Sequence, residues 1–208
     1  MKLTEIYDSV VAEGSSAFAE VIAVLEEAGI RYAVIGGLAI NAYVEPVFTA
    51  DADIVIALSE VDRFAAALSE LGYRVERYPF SLNFRKAGSD LSLQVSTDPV
   101  YQGLLDRAVR KKVLDVESNV ASLRDLVEGK KGKIRAWSDP ERRLSKRAKD
   151  QTDLFRIAES YPEMTTLLPE RLKAEIIEDR ASRLLREGAE GSRSAQPRAE
   201  REPPGIGR

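Results

Sequence analysis

The chain has 208 residues, of which 44% are hydrophobic and 31% are charged, a composition typical of a folded, water-soluble protein with a sizeable core. Its formal net charge of −3 argues against a protein whose whole surface binds nucleic acid, although a local basic patch remains compatible with it. The sequence contains neither cysteine nor histidine, which excludes disulfides, thiol catalysis, imidazole metal sites and histidine acid–base chemistry.

The amino-terminal stretch MKLTEIYDSVVAEG carries acidic residues within its apolar pattern, so we expect no signal peptide there. No apolar run approaches the roughly 20 residues that are needed to cross a bilayer. We therefore expect a cytoplasmic protein that has no membrane partner.

Helix and strand patterns alternate in the first half of the chain. Apolar residues between positions 18 and 25 follow a helical spacing, and RYAVIGG then predicts a short buried strand with a turn at its end. LAINAYV predicts a short helix, ADIVIAL a second buried strand, and an amphipathic helix follows that ends at Gly72. Three further strands are predicted over YRVERY, LNFRKA and LSLQVS.

Beyond Pro99 the pattern becomes mainly helical. VYQGLLDRAV predicts a helix and KKVLDVE one more strand. Three longer helices are predicted over VASLRDLVEGKKGKIRAW, DPERRLSKRAKDQTDLFRIAESY and LPERLKAEIIEDRASRLLREG. We predict an α/β (α+β) core over residues 1–115, a helical domain over 116–188 and a disordered tail over 189–208, because the last stretch lacks large apolar side chains.

Two aspartates stand at the head of the second buried strand. Residues i and i+2 of a strand project to the same face, so Asp51 and Asp53 present their carboxylates side by side. Such a pair repels itself and loses hydration beside an apolar strand, unless a cation joins the two groups. Mg²⁺ suits this role because it takes one or two carboxylates and completes its shell with water and substrate phosphates. The alternative is a pair of exposed aspartates at a strand edge.

Gly36 and Gly37 follow the first buried strand directly. Glycines at such a turn permit positive φ and let the backbone approach a ligand closely. The helix that follows would aim N–H groups at an anion such as a phosphate. The alternative is a tight strand–helix connection with no ligand, but the combination with an Asp-x-Asp strand favours a phosphate site next to a metal site.

The stretch GGLAINAYVEPVFTADADI resembles the first signature of the nucleotidyltransferase superfamily, which has the DNA polymerase β-like fold. The stretch VASLRDLVEGKKGKIRAWSDPERRLSKRAKDQTDLFRIAE is similar to the helical region of the AbiEii/AbiGii toxin-type family, whose Arg-x-Lys-Asp motif falls on Arg147, Lys149 and Asp150. The resemblance covers residues 16–160 with the motifs in the same order and spacing.

The resemblance implies a small mixed-sheet core with flanking helices, a helical carboxyl-terminal part, and transfer of a nucleoside monophosphate from an NTP with Mg²⁺ as cofactor. It implies an RNA, tRNA or protein acceptor and a cognate antitoxin partner. The predicted site residues are the metal ligands Asp51 and Asp53, the further catalytic residues Lys149 and Asp150, and the nucleotide-binding residues Gly36, Gly37, Thr49, Arg147 and Lys130, with Lys133 as a further phosphate-contacting candidate.

The sequence departs from the superfamily pattern at two places. Members often carry an arginine before the threonine, where this chain has Val47 and Phe48. Members also carry a third carboxylate on a later strand, where this chain has Gln94, an amide that cannot act as a base. Asp90 lies four residues earlier, about 13 Å away at ~3.3 Å per residue, and would substitute only on a bent or shifted strand.

The basic segment over residues 142–149 has two interpretations. It is either a solvated helix with ion pairs from Lys146 to Asp150 and from Lys149 to Asp153, or the wall that faces the acceptor. The sequence therefore predicts a metal-dependent nucleotidyltransferase of the toxin type. A small-molecule nucleotidyltransferase of the antibiotic-modifying type, and a chain that binds nucleotide or a partner without turnover because of Gln94, are the alternatives.

Overall fold

The structure, a computed structural model, describes residues 16–129 and 132–194. Its contacts divide the chain into two units, the first ending at Leu168 and the second beginning at Pro169. Within the described ranges, the first unit holds the strands and the shorter helices, and the second holds one long helix. No helix in the described ranges is both long and apolar enough to cross a membrane.

The first unit is built on one mixed seven-stranded sheet. Its strands are β1 (Tyr32–Ile35), β2 (Asp51–Ile56), β3 (Tyr73–Tyr78), β4 (Ser81–Lys86), β5 (Ser92–Ser96), β6 (Val109–Val113) and β7 (Val116–Val120). They lie in the order β3-β4-β5-β2-β1-β7-β6. The pairs β2–β5 and β1–β7 are parallel, and the other neighbours are antiparallel.

Six helices accompany the strands in the described part of the first unit. They are α1 (16–27), α2 (Gly36–Asn41), α3 (Val61–Glu70), α4 (Leu123–Glu128), α5 (Lys133–Ser138) and α6 (Leu144–Ser160). Segments of 3-10 helix lie at Leu58–Glu60, Pro99–Arg107 and Pro162–Leu167. The predicted fold class, an α/β core with flanking helices, is confirmed.

The alternation within β5 decides which face of the sheet is core. Leu93 and Val95 are fully buried, and they pair with Ala52 and Ile54 of β2, which are fully buried too. Phe84 of β4 continues this apolar layer and meets Phe64 of α3 edge to face, with ring centroids 5.7 Å apart. The opposite face of the same strands carries Ser92, Gln94 and Ser96, as the alternating pattern predicts, and this face bears the polar site.

Three local predictions are wrong in detail. KKVLDVE is not one strand but the hairpin of β6 and β7, whose turn residues Leu114 and Asp115 adopt positive φ of 46° and 64°. The long helix predicted across EGKKGK is two short ones, α4 and α5, because Gly129 ends the first. The helix α2 begins at the two glycines themselves rather than after them.

The described part of the second unit contains α7, which spans Glu170–Ser194. It is the charged helix that the sequence predicts, with ion pairs such as Lys173–Glu170 and Arg183–Asp179 along its length. Residues 195–208, the last part of the predicted tail, lie outside the described residues. The domain limits predicted from the sequence stay a prediction.

Candidate active site

Strand register brings the first polar residues together. Because β2 and β5 are parallel and in register, Asp53 lies directly beside Gln94 and Asp51 beside Ser92. On its other side Asp53 pairs with Ile35, the last residue of β1. The Asp-x-Asp strand therefore stands at the centre of the sheet, between the strand that leads into the two glycines and the strand that carries Gln94.

Gly36 touches the Asp53 carboxylate so closely that no other residue fits at this position. A Cβ atom on Gly36 would lie 2.2 Å from Asp53 Oδ2, and the residue also has a positive φ of 70°. Both facts favour glycine, the first through sterics and the second through backbone conformation. The glycine corner and the aspartate pair are thus a single packed unit.

Gly37 faces the loop that precedes β2. A Cβ atom on Gly37 would lie 3.5 Å from the side chain of Thr49, an ordinary van der Waals contact. Thr49 Oγ1 in turn accepts a hydrogen bond from the backbone N–H of Asp51 at 3.4 Å. The predicted nucleotide-binding residues Gly37 and Thr49 therefore lie against each other, next to the first aspartate.

These residues open into a cavity of about 930 Å³. Its described lining includes five carboxylates and five cationic side chains: Asp51, Asp53, Asp98, Asp125 and Asp150, and Arg107, Lys133, Arg142, Lys146 and Lys149. Gly36, Gly37 and Gln94 also line it. The two aspartates and the glycine corner share one cavity, as the metal hypothesis requires.

The environment of Asp53 disfavours its charged form. Burial and then the neighbouring charge of Asp51 raise the pKa of Asp53, while Lys133, Lys149 and Lys146 act to lower it. Asp51 is exposed and Asp53 is half-buried, so the two carboxylates offer one accessible and one less accessible set of oxygen ligands. Such a pair fits Mg²⁺, which takes one or two protein carboxylates. The described residues contain no larger group of acidic side chains that would hold a metal by itself.

The cations on the other side of the cavity come from α5 and α6. Lys133, the first residue of α5, lies 2.8 Å from Asp150 Oδ1 and 2.7 Å from Asp153 Oδ2. Asp150 Oδ2 accepts a hydrogen bond from Arg142 Nε at 2.7 Å. Both aspartates belong to α6 and are buried. The predicted catalytic residue Asp150 therefore lies at the cavity with both of its oxygens engaged by cations.

Lys149 and Lys146 line the cavity and are exposed. Within the described part of the chain neither of them forms an ion pair, so the predicted pairs with Asp150 and Asp153 are absent there. Arg147 is turned elsewhere, since its Nε donates to the carbonyl of Trp137 at 2.9 Å and it is not among the lining residues. Lys130, predicted to contact phosphate, lies outside the described residues.

Gln94 and Asp90 are the two residues that the resemblance relates to the third carboxylate of the superfamily pattern. Gln94 lines the cavity beside Asp53, whereas Asp90 is exposed, lies outside β5 and is not a lining residue. Asp98, which the sequence prediction missed, lines the cavity from the other end of β5. Its Oδ1 accepts a hydrogen bond from the N–H of Val100, so Asp98 caps the start of the 3-10 segment Pro99–Arg107.

Tyr101 was also not predicted as a site residue, and Arg142 was predicted only as part of the basic segment over residues 142–149. Burial, followed by the charges of Asp98 and Asp53, raises the pKa of Tyr101 to about 12, so the phenol stays neutral near physiological pH. The Asp-Pro pair at 98–99, a helix-start signal, would have indicated that Asp98 has a fixed orientation. No local pattern indicates that Tyr101 faces Asp53.

Arg156 of α6 forms hydrogen bonds to the segment that leads into the aspartate strand β2. Arg156 donates from Nη1 to Asp153 at 2.9 Å and from Nη2 to Asn41 Oδ1 at 3.0 Å, and it also donates to the carbonyl of Glu45. Asn41 in turn bonds both the N–H and the carbonyl of Val47, at 3.1 and 2.6 Å. The position of the loop before Asp51 thus depends on α6.

Solved structures share this arrangement of strands and helices. The antibiotic-resistance factor ANT(2″)-Ia matches with a TM-score of 0.51 and 16% identity, over 86% of this chain and 97% of that one. An antigenic nucleotidyltransferase-like protein from Paracoccidioides brasiliensis matches with a TM-score of 0.50 and 17% identity, over 82% of this chain and 90% of that one. The chain has the nucleotidyltransferase fold.

This is the fold that the resemblance to the nucleotidyltransferase superfamily implies, and in it the Gly-Gly corner and the Asp-x-Asp strand are neighbours. No family model matches the sequence, and no curated protein matches it. The narrower resemblance to the AbiEii/AbiGii family, and the roles of the individual site residues, stay predictions.

Proposed function

We propose that this protein is a metal-dependent nucleotidyltransferase that transfers a nucleoside monophosphate from an NTP to an acceptor hydroxyl. One observation carries the proposal: Asp51 and Asp53 meet the Gly36 corner in a cavity whose other wall is cationic. A polyphosphate is bound by cations on several sides. Mg²⁺ that is held by two protein carboxylates completes its coordination with water and with phosphate oxygens of the substrate.

The reaction is a displacement at phosphorus. The oxygen of the acceptor hydroxyl forms a bond to the α-phosphorus, the bond from that phosphorus to the bridging oxygen of the β-phosphate breaks, and pyrophosphate leaves. Mg²⁺ on Asp51 and Asp53 would neutralise phosphate charge in this reaction. The chain itself supplies the glycine corner for close backbone approach and the cations of α5 and α6 for the negative charge of the leaving group.

Gln94 sets a limit on this chemistry. Its amide beside Asp53 can hydrogen-bond an acceptor hydroxyl but cannot take up its proton. The binding-only alternative follows from this residue, because a site with two carboxylates still holds a metal–nucleotide complex. Turnover in the parent protein would show that two carboxylates are sufficient.

A macromolecular acceptor, RNA (tRNA included) or protein, is the preferred acceptor class. The exposed cations Arg142, Lys146 and Lys149 at the cavity edge support an anionic acceptor despite the net charge of −3. The resemblance of residues 120–160 to the toxin-type family supports the further proposal that the chain is the toxin-like component of a pair with a cognate antitoxin. A small regulator gene next to its own gene would strengthen that proposal.

A small hydroxylated acceptor, as in antibiotic modification, is the second candidate. The volume of the cavity, about 930 Å³, favours it, because small-molecule sites have volumes of roughly 300–1,000 Å³. The uncharged part of the lining, with Ser81, Ser96 and Gln94 along β4 and β5, would suit hydroxyl groups.

Labelling with α-³²P NTPs separates these candidates. The full chain is incubated with each NTP and Mg²⁺, alone, with bulk RNA, and with a panel of small hydroxylated compounds including aminoglycosides and lincosamides. Label on RNA or protein supports the preferred acceptor class, label on a small compound supports the second, and NTP binding without transfer supports the binding-only alternative.

Two variants make the experiment specific to the aspartates. Asp51→Asn combined with Asp53→Asn should abolish transfer and Mg²⁺-dependent NTP binding, since both metal ligands lose their charge. Asp90→Asn is the matched control, because Asp90 is an exposed aspartate outside the cavity. Gln94→Asp should raise transfer by restoring a carboxylate beside Asp53. Parent-like transfer by the double asparagine variant would exclude the proposed function.

A further inference from the structure

The resemblance assigns Asp150 a catalytic role, but its surroundings are those of a carboxylate that holds other groups. Its side chain is only 2% exposed, Oδ1 lies 2.8 Å from Lys133 Nζ, and Oδ2 lies 2.7 Å from Arg142 Nε. A general base must reach the proton that it removes, directly or through one water. Both oxygens of Asp150 already accept from cations, so it is badly placed to take up a proton.

Asp153 completes the same cluster from the next turn of α6. It is 4% exposed on its side chain, and its two oxygens lie 2.7 Å from Lys133 Nζ and 2.9 Å from Arg156 Nη1. Lys133 is therefore shared by two buried carboxylates. Three cations meet two carboxylates, so the cluster carries one net positive charge, and Lys133 and Arg142 present it to the cavity.

Two glycines, Gly129 and Gly132, lie shortly before Lys133 in the chain. A Cβ atom on Gly132 would lie 2.7 Å from the carbonyl oxygen of Val127, and one on Gly129 would lie 2.4 Å from that of Asp125. Such contacts require glycine at both positions, and both glycines line the cavity. The ammonium group of Lys133, at the end of a long flexible stem, is held by two buried carboxylates, which reduces the entropy lost when it binds an anion.

We propose that Lys133 is the central cation of a polyphosphate subsite and that Asp150 and Asp153 are positioning residues that hold it there. The subsite takes the β- and γ-phosphates of an NTP or the released pyrophosphate, so the proposal rests on the proposed function and deepens it.

Binding of inorganic tripolyphosphate, measured by calorimetry on the full chain, tests the subsite without any transfer reaction. Lys133→Met should weaken binding by at least tenfold. Because this change leaves the buried aspartates with one cation fewer, it should also lower the melting temperature. Lys112→Met is the control, since Lys112 forms an exposed pair with Asp115 on the β6–β7 hairpin and does not line the cavity; it should bind like the parent.

The double variant Lys133→Met with Asp153→Asn separates binding from folding. It removes one cation and one carboxylate together, so it should regain most of the lost melting temperature while tripolyphosphate binding stays at least tenfold weaker. Parent-like binding by this double variant would overturn the proposal, and so would a parent protein that does not bind tripolyphosphate.

Asp150→Asn distinguishes a positioning residue from a base. If Asp150 is a positioning residue, the Asp150→Asn variant should have a higher KM for NTP and should bind tripolyphosphate more weakly, each by roughly three- to tenfold. Its kcat at saturating NTP should fall by a smaller factor than the factor by which KM rises. A loss of kcat above a hundredfold with unchanged KM and unchanged tripolyphosphate binding would make Asp150 the base and overturn the assignment. Lys133-dependent tripolyphosphate binding without any nucleotide transfer would leave the subsite in place and refute the proposed function alone.

Discussion

At the scale of single residues, the site depends on one close approach. Gly36 directly follows β1, Asp53 lies on the adjacent strand β2, and the carboxylate oxygen occupies the space in which any side chain at position 36 would begin. The carboxylate is buried by this packing and repelled by Asp51, and both effects raise its pKa. The residue that holds the proposed metal is therefore under strain until a cation arrives.

Gly36→Ala should reduce transfer by roughly a hundredfold, because displacement of a reacting group by about 1 Å has an effect of this size. The new Cβ atom would lie 2.2 Å from Asp53 Oδ2 and would therefore displace that oxygen. Gly29→Ala is the matched control: Gly29 has a similar positive φ of 63° but nothing within 4 Å of its Cβ position, so it suffers only the backbone strain. Both variants should lose stability in thermal melts, and only the first should lose transfer; equal transfer rates would contradict this account.

Asp53→Asn should raise the melting temperature of the metal-free protein at pH 7. The change removes a buried charge and its repulsion from Asp51, which together raise the pKa of Asp53 and disfavour the charged form in the fold. Asp51→Asn should raise the melting temperature by less, since Asp51 is exposed. Differential scanning fluorimetry with and without Mg²⁺ tests this, and Mg²⁺ should stabilise the parent only. A lower melting temperature for Asp53→Asn would show that the pair is already neutralised within the chain.

At the scale of elements, turns decide where short helices and strands end. The hairpin of β6 and β7 places Leu114 and Asp115 at positive φ, where a leucine costs roughly 1–2 kcal/mol. Gly129 and Gly132 separate α4 from α5 and so set the position of Lys133. The elements that carry the site are short, and the connections between them fix its geometry.

Replacing Leu114-Asp115 by Asn-Gly should stabilise the protein by about 1 kcal/mol, because two positive φ angles in a two-residue hairpin loop favour this dipeptide. For a chain of this size the melting temperature should rise by about 2–4 °C. The lost ion pair between Asp115 and Lys112 is exposed and contributes little. Transfer should be unchanged, since no residue of the hairpin lines the cavity. A lower melting temperature would mean that the side chain of Leu114 contributes more than its backbone costs.

At the scale of the whole molecule, the charge is divided unevenly. The chain is acidic overall, with a net charge of −3, yet the α5–α6 wall of the cavity presents Lys133, Arg142, Lys146 and Lys149. Such a local excess attracts an anionic ligand over a distance of about 10 Å at moderate salt. The arrangement suits a protein that binds an anion at one place without binding nucleic acid everywhere.

Salt dependence of the acceptor KM should therefore distinguish the two acceptor classes. If RNA is the acceptor and about three cations contact its phosphates, a fourfold rise in salt should raise its KM by roughly 20- to 40-fold. A neutral hydroxylated acceptor should show almost no dependence, while the KM for NTP should rise with salt in both cases. Steady-state kinetics between 50 and 200 mM NaCl at fixed Mg²⁺ provide the measurement. An RNA acceptor whose KM is independent of salt would exclude the α6 wall as its binding surface.

Much of the fold was predictable because its signals are local. The alternation in LSLQVS, the apolar run after Asp53 and the helix that stops at Gly72 each follow from side-chain periodicity and glycine chemistry. The hairpin at Leu114 was missed because leucine does not favour a positive φ, and Asp115 alone, without a glycine or asparagine beside it, is a weak turn signal. The helix break at Gly129 was missed because glycine at that place is required by contact with the Asp125 carbonyl and not by a positive φ.

The sequence by itself determined the aspartate pair on one strand face, the glycine corner, the amide at Gln94 and the α/β class, because periodicity within a strand places neighbouring side chains. Only the tertiary structure decided that Lys133 and Arg142 bind Asp150, that Arg147 turns away, and that Arg156 reaches Asn41 across 115 positions of the chain. These contacts arise from packing between separate elements, and a cation finds its carboxylate partner through the fold of the backbone rather than through spacing along the chain.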